Sequence, residues 1–354
     1  MNRRRLARPA VLARPALLLV ALLVAACGGA PSSATPGSSA PATGAPATSA
    51  PAPIALTVGL GYIPSVQFAP FYLADQAGYY RDAGLTVTFQ NKIDPDLVTL
   101  VGQGSIDIGL ADGTSVIPAV SQGIPVQYIA TIYRDFPSIV FAKATSGITS
   151  AADLKGRKIG IPGRYGSSWV MLQALLGSAG LKATDVQILE YPTYGQGAAV
   201  QQGAVDAATG FFNNEPVQLK LAGFEPTILH VDSIVALPGP GLISSKTTLS
   251  TKGAAIAAFV AATLRAMSDI AANPALGLDA TIKVVPELAA DRVTQAAVLD
   301  ATITAWKGTA ANAPAMGTID TAGWLASATF MTTLGMVANP VKVEDLVRSD
   351  MLPH

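Results

Sequence analysis

The sequence predicts an α/β protein of two similar lobes, each built on a doubly wound sheet, joined by a hinge of two chain crossings. Three observations carry that expectation. A strand–helix–strand–helix–strand pattern occurs twice, glycine closes the helices at matching places in both copies, and two apolar segments are placed to pass between them. The first copy has Val58-Gly59 in a strand, Ala83-Gly84-Leu85 after a helix, and Gln103-Gly104-Ser105-Ile106-Asp107 before the next strand. The second has Ile159-Gly160, Ala179-Gly180-Leu181 and Gln202-Gly203-Ala204-Val205-Asp206 in the same roles. Strands and helices alternating at this spacing give parallel βαβ units. Two such units give two lobes, and two lobes give a cleft.

Length and composition bound the problem. The 354 residues suffice for two lobes with a large core. A formal net charge of zero excludes the electrostatic footprint of a nucleic-acid binder. Only 13% of residues are charged, which argues against a disordered chain. Residues 1–26 read as a targeting segment: Arg3, Arg4 and Arg5 precede the apolar run Ala16 to Ala26, which is shorter than the roughly 20 residues that span a bilayer. The run ends in Val24-Ala25-Ala26-Cys27-Gly28, which resembles a bacterial lipobox. Cleavage before Cys27, the one cysteine in the chain, would leave a residue acylated with palmitate and other chains, and several chains together anchor stably. From Gly28 to Pro53 every residue is Gly, Ala, Pro, Ser or Thr, so residues 27–53 are expected to form a lipidated, disordered tether.

The elements follow in order. Leu56 to Leu60 is a short apolar run that suits a buried strand, and Gly61 to Ala69 is the loop after it. Pro70 fits the first turn of a helix, and Gly78 its left-handed exit. Ile106 to Ala111 leads into Asp112-Gly113-Thr114-Ser115 and a helix Val116 to Gln122. Tyr128 to Ala142, with Pro137 near its middle, reads as one strand passing between the lobes. Lys158 to Ile161 leads through Pro162 to Ser168 into a helix Trp169 to Ala179. Val205 to Phe212 leads through Asn213-Asn214-Glu215-Pro216 into a short helix ending near Gly223, and Ile234 to Ser245 is the return crossing. Helices are expected over Lys252 to Ala272, Ala289 to Trp306 and Trp324 to Val337, packed on the first lobe, with Trp306 and Trp324 in the core. This divides the chain into a first lobe of 54–137 plus 238–354 and a second of 138–237.

The strand ends of both copies run into polar turns. Ser, Thr, Asn and Asp before a helix are ordinary N-caps. Several such starts converging on one cleft also offer N–H groups and side-chain amides to a polar ligand. Arg164, in one of these turns, suits either an anionic ligand group or a solvated, lobe-bridging role. Catalytic sets are hard to assemble: His230 is isolated, His354 ends the chain, and no Ser/His/Asp, HExxH or Cys/His metal spacing occurs. Asp107 and Asp206 occupy equivalent repeat positions, which points to a shared structural role rather than a catalytic pair.

The stretches GYIPSVQFAPFYLADQAGYYRDAGLTV, QGSIDIGLAD, DLKGRKIGI and GAVDAATGFFNNEP, with NP…VVPEL and W…LGMV…P, resemble the extracytoplasmic solute-binding proteins of ABC importers. The similarity is to the branch of nitrate, sulfonate and taurine binders and of binders of thiamine's pyrimidine precursor. It covers about Ile54 to Leu352 and implies a two-lobed periplasmic-binding-protein-like fold of type II. Within that branch, GYIPSVQFAPFY and GFFNNEP look most like riboflavin-binding lipoproteins. Pyrimidine binders usually carry a tryptophan and a histidine in the opening loop, where this chain has Tyr62, Gln67 and Phe68.

Riboflavin as the transported ligand asks for aromatic faces around a flat ring system, and for donors and acceptors around its polar edge and ribityl chain. Candidate faces are Tyr62, Phe68, Tyr165, Phe211 and Phe212. The last two must point to opposite sides of their strand, and Phe212 is taken as the ligand-facing one. Candidate polar partners are Gln67, Thr114, Ser115, Ser167, Asn213, Asn214 and Glu215. The resemblance implies no cofactor, metal or catalysis. It implies a monomer on the outer face of the cell membrane, anchored through Cys27, closing on its ligand and docking on an ABC permease. The alternatives are a binder of the thiamine pyrimidine or of nitrate, sulfonate or taurine, a sensor lipoprotein, and an enzyme like the pyrimidine synthases that share the fold.

Overall fold

The computed structural model describes residues 52–353 apart from 92–95 and 233. The expected signal segment, Cys27, all but the end of the tether, and His354 lie outside the described residues.

The strands are β1 (Ile54–Leu60), β2 (Leu85–Asn91), β3 (Ile108–Ala111), β4 (Val126–Thr131), β5 (Ser138–Lys143), β6 (Lys158–Ile161), β7 (Gln187–Glu190), β8 (Ala207–Phe211), β9 (Pro226–Leu229) and β10 (Gly241–Ser245). They form two five-stranded sheets, ordered β2-β1-β3-β10-β4 and β7-β6-β8-β5-β9. In the first, β1 runs parallel to β2 and β3 while β10 is antiparallel to β3 and β4. In the second, β6 runs parallel to β7 and β8 while β5 is antiparallel to β8 and β9. The plans coincide. In each sheet the strand that follows a crossing inserts between the third parallel strand and the strand that precedes a crossing.

The repeat is visible in single side chains. Asp107 Oδ2 accepts the Thr57 N–H at 2.9 Å and Asp206 Oδ2 accepts the Lys158 N–H at 2.8 Å, each pinning the start of its lobe's central strand. Gly104 and Gly203, at φ of 76° and 73°, make the left-handed turns that bring those aspartates round.

Tyr128 to Ala142 is two strands rather than one. It leaves the first sheet after Thr131 and enters the second at Ser138, since Pro137 has no N–H to continue a ladder. The return segment lies beside it, with the Ile132 and Tyr133 N–H groups both donating to the Pro240 carbonyl. A side chain at Gly241 would collide with the Tyr128 ring, so the two crossings can lie this close only with glycine there.

Helices Lys246–Ala272, Pro274–Val284 and Arg292–Lys307 pack with the first sheet around Phe71, Phe259 and the fully buried Trp306. Helix Thr321–Thr333 sets Trp324 edge-on to Tyr128, with ring centroids 4.8 Å apart. Some bounds differ from expectation for local reasons. The long helix begins at Lys246 because the Ser245 hydroxyl caps the Thr248 N–H, and the expected start, Lys252, is instead a kink at φ −124°. Pro274 opens a separate helix rather than only ending one.

Candidate functional site

A cavity of about 130 Å³ lies between the lobes, many times the ~10–15 Å³ that a single water needs. Its walls come from the carboxyl ends of parallel strands in both sheets, the edge where open α/β sheets bind ligands. The loop after β1 gives Tyr62, Gln67 and Phe68, and that after β3 gives Asp112. The turn after β6 gives Tyr165, Ser167 and Ser168, and that after β7 gives Tyr194 and Gln196. The end of β8 gives Gly210, Phe211, Asn214 and Glu215, and the crossings add Tyr133 and Pro240.

Local chemistry explains these placements. Ser65 Oγ accepts the Gln67 N–H at 3.2 Å, starting the turn that buries Gln67 and Phe68 ahead of helix Ala69–Gln76. Asp112 caps helix Gly113–Ser121 by accepting the Thr114 and Ser115 N–H groups at 3.0 and 3.2 Å, and the Thr114 hydroxyl also donates to it. The Ser167 hydroxyl reaches the same carboxylate from the other lobe. Burial raises the Asp112 pKa against the pull of these donors. Glu215 folds back so that Oε2 accepts the Phe211 N–H at 2.8 Å. Only a glycine at 210 leaves room for that carboxylate. Burial pushes Glu215 up to about 7, the two backbone N–H groups on it acting the other way.

The lobes touch at two further places. The Tyr62 and Tyr194 rings meet edge to face with centroids 4.5 Å apart, and Tyr194 is the one non-glycine residue with positive φ, 60°, among the described residues. The Tyr62 hydroxyl is raised above its ordinary pKa, first by burial and then by Glu215 and Tyr194. Asn213, fully buried, donates from Nδ2 to Gln67 Oε1 at 3.0 Å and to Thr302 Oγ1 at 2.8 Å.

Of the residues singled out from sequence, Tyr62, Gln67, Phe68, Tyr165, Ser167, Asn214 and Glu215 line this cavity. Thr114, Ser115, Asn213 and Phe212 stand outside the lining. Thr114 and Ser115 are spent on the Asp112 cap, and Asn213 on the contact between lobes. Phe212 packs half-buried against the apolar clusters, and the alternation of β8 turns Phe211 to the cavity instead. Arg164 is exposed, paired with Glu190 at 3.0 Å and lying over the Trp169 ring. Asp112, Tyr133, Tyr194 and Gln196 were not among the sequence candidates. Asp112 read as a plain cap, and a left-handed tyrosine leaves no signal in sequence.

Residues 65–276 match the NMT1/THI5-like protein family. A riboflavin-binding protein, RibY, from Chloroflexus aurantiacus is 33% identical over 302 residues, covering 84% of this chain and 86% of that protein. A 4-amino-5-hydroxymethyl-2-methylpyrimidine phosphate synthase from Legionella pneumophila is 27% identical over 187 residues, 51% of this chain and 57% of the synthase. Among solved structures, the alkanesulfonate-binding protein SsuA from Xanthomonas axonopodis, bound to MOPS, superposes with a TM-score of 0.65. It covers 85% of this chain and 100% of its own at 20% identity, a likeness of fold alone.

Proposed function

The chain belongs to the NMT1/THI5-like family, and from that premise we propose that it is the extracytoplasmic substrate-binding component of an ABC importer, with riboflavin as its solute. The observation that carries the reading is a set of aromatic faces brought to one cavity from both lobes. Tyr62 and Phe68 come from one side, and Tyr165, Tyr194 and Phe211 from the other. A flat three-ring solute is recognised by such faces, with a few polar groups to fix its orientation. The extent of the similarity to the Chloroflexus aurantiacus protein supports the same solute.

The mechanism is capture by closure. Solute enters while the lobes are apart. The Asn213 contacts with Gln67 and Thr302 then hold them together over it. The closed form docks on a membrane permease, and the chain itself does no chemistry on the solute. Cys27 carries the lipid anchor, the segment to Pro53 is the tether, and the protein acts as a monomer on the outer face of the membrane. A nitrate, sulfonate or taurine solute lacks support, because Arg164 is occupied by Glu190 and, among the described residues, no Lys, Arg or His lines the cavity.

The test is mass spectrometry of the small molecule that leaves the purified chain on denaturation. Riboflavin recovered unchanged supports the reading. A pyrimidine in its place moves the assignment to the thiamine precursor, and a chemically altered solute makes the protein an enzyme.

A further inference from the structure

The polar part of the cavity is one-sided. Asp112 contributes a carboxylate from the first lobe and Glu215 another from the second, and among the described residues no Lys, Arg or His lines the cavity to balance either. Gln196 is 1% exposed and opens helix Gln196–Gln202 in the cavity wall. Its Nε2 donates to the Thr209 carbonyl at 3.3 Å, which fixes the orientation of the amide and leaves Oε1 with no partner in the protein. The amide donors nearby are already engaged: Gln67 Nε2 on Ser65, and Asn213 Nδ2 on Gln67 and Thr302. The tyrosine and serine hydroxyls of the lining can donate or accept, whereas the two carboxylates and Gln196 Oε1 only accept from a solute donor.

We infer that the cavity selects a solute that brings hydrogen-bond donors and carries no negative charge, so that it takes the free vitamin and turns away its phosphate ester. Asp112 and Glu215 are the residues that discriminate, with Gln196 Oε1 the further acceptor. The inference rests on the reading of this cavity as the solute site and deepens it.

The physical grounds are two. Gln196 Oε1, buried without a donor, is costly, and a solute N–H or O–H that reaches it removes the cost. Like charges repel more strongly at a partly buried site than in bulk water, so a phosphate is opposed by each carboxyl to the extent that it is ionised. Burial already holds both carboxyls above their ordinary pKa values, against the pull of the hydrogen bonds they accept. A donating solute stabilises their ionised forms. A second anion opposes them further.

Riboflavin and flavin mononucleotide are the probes, titrated by calorimetry into the full chain and into Glu215→Gln, an isosteric change. Asp112→Asn is the second variant, chosen to keep the shape of the helix cap. The expected result is riboflavin tighter than flavin mononucleotide by about 100-fold or more in the native chain, with that ratio falling about tenfold in either variant. Equal affinity for the two flavins overturns the selectivity and leaves the riboflavin assignment standing. Tighter binding of the mononucleotide, or of taurine, overturns both. Failure of riboflavin to bind overturns the riboflavin assignment, and the inference falls with it.

Discussion

Asn213 at the end of β8 donates a hydrogen bond to Gln67 Oε1 at 3.0 Å, joining the second lobe to the loop that follows β1 in the first. Both side chains are buried, and the second Asn213 donor reaches Thr302 at 2.8 Å on helix Arg292–Lys307. A polar contact of this kind exists only while the lobes are together. Asn213→Ala removes it and leaves two buried acceptors facing each other. Such a loss costs about 1–3 kcal/mol, so solute affinity is expected to fall about 5- to 150-fold. Calorimetry with small-angle scattering checks this: the ligand-free variant should be measurably more open than the native chain.

Tyr194 holds a left-handed backbone at φ 60° while its ring closes on Tyr62. A non-glycine residue there stores about 1–3 kcal/mol of strain. Tyr194→Gly should therefore unfold at higher urea than Tyr194→Ala, by about 1 kcal/mol, the reverse of the order expected at an ordinary loop position. Both variants should release solute faster than the native chain in stopped-flow mixing.

Glu215 makes stability depend on pH. Its pKa rises on folding from 4.5 to about 7, so the native state holds its proton more tightly than the unfolded one. The contribution of Glu215 to the stability of the ligand-free chain is then full below pH 4.5, declines as pH rises between the two values, and is flat above the upper one. The drop is about 3 kcal/mol. Asp112, also raised, adds in the same direction. Asp153, lowered to about 2 by hydrogen bonds from Thr149 and Ser150, acts in the opposite direction and only at the acid end, as pH rises through its unfolded value of 3.8. Denaturant melts from pH 4 to 8 on the native chain and on Glu215→Gln measure the difference, and the variant should show the shallower decline.

Asp107 and Asp206 should behave as structural twins. Asp107→Ala loses the Thr57 N–H and the Lys252 ammonium, at 2.9 and 2.8 Å, and should cost about 2 kcal/mol. Asp206→Ala loses only the Lys158 N–H and should cost about 1 kcal/mol. Neither side chain lines the cavity, so solute affinity of the folded variants should match the native value. A selective loss of affinity would make these carboxylates part of the site.

The paired sheets were legible because the repeat is written in local chemistry: a glycine turn, then an aspartate, at Gly104-Ser105-Ile106-Asp107 and again at Gly203-Ala204-Val205-Asp206. Periodicity and caps also located most helices. Less legible was whatever depends on contacts far apart in the chain. Pro137 marked the crossing, but only the bond from Tyr133 N–H to Pro240 O shows where one sheet yields to the other. Phe211 and Phe212 alternate by rule, yet which one meets the cavity depends on how β8 sits between β6 and β5. Gln196 and Tyr194 reach the site through a fold of the chain after β7 that no residue pattern announces.

The central claim is capture of riboflavin between the lobes, and the direct measurement is titration of riboflavin into the full chain while following its fluorescence. Stacking on Tyr62, Tyr165 and their neighbours should quench the signal to saturation at one riboflavin per chain. Unquenched riboflavin at micromolar protein, together with tight binding of a pyrimidine or a sulfonate to the same chain, would contradict it.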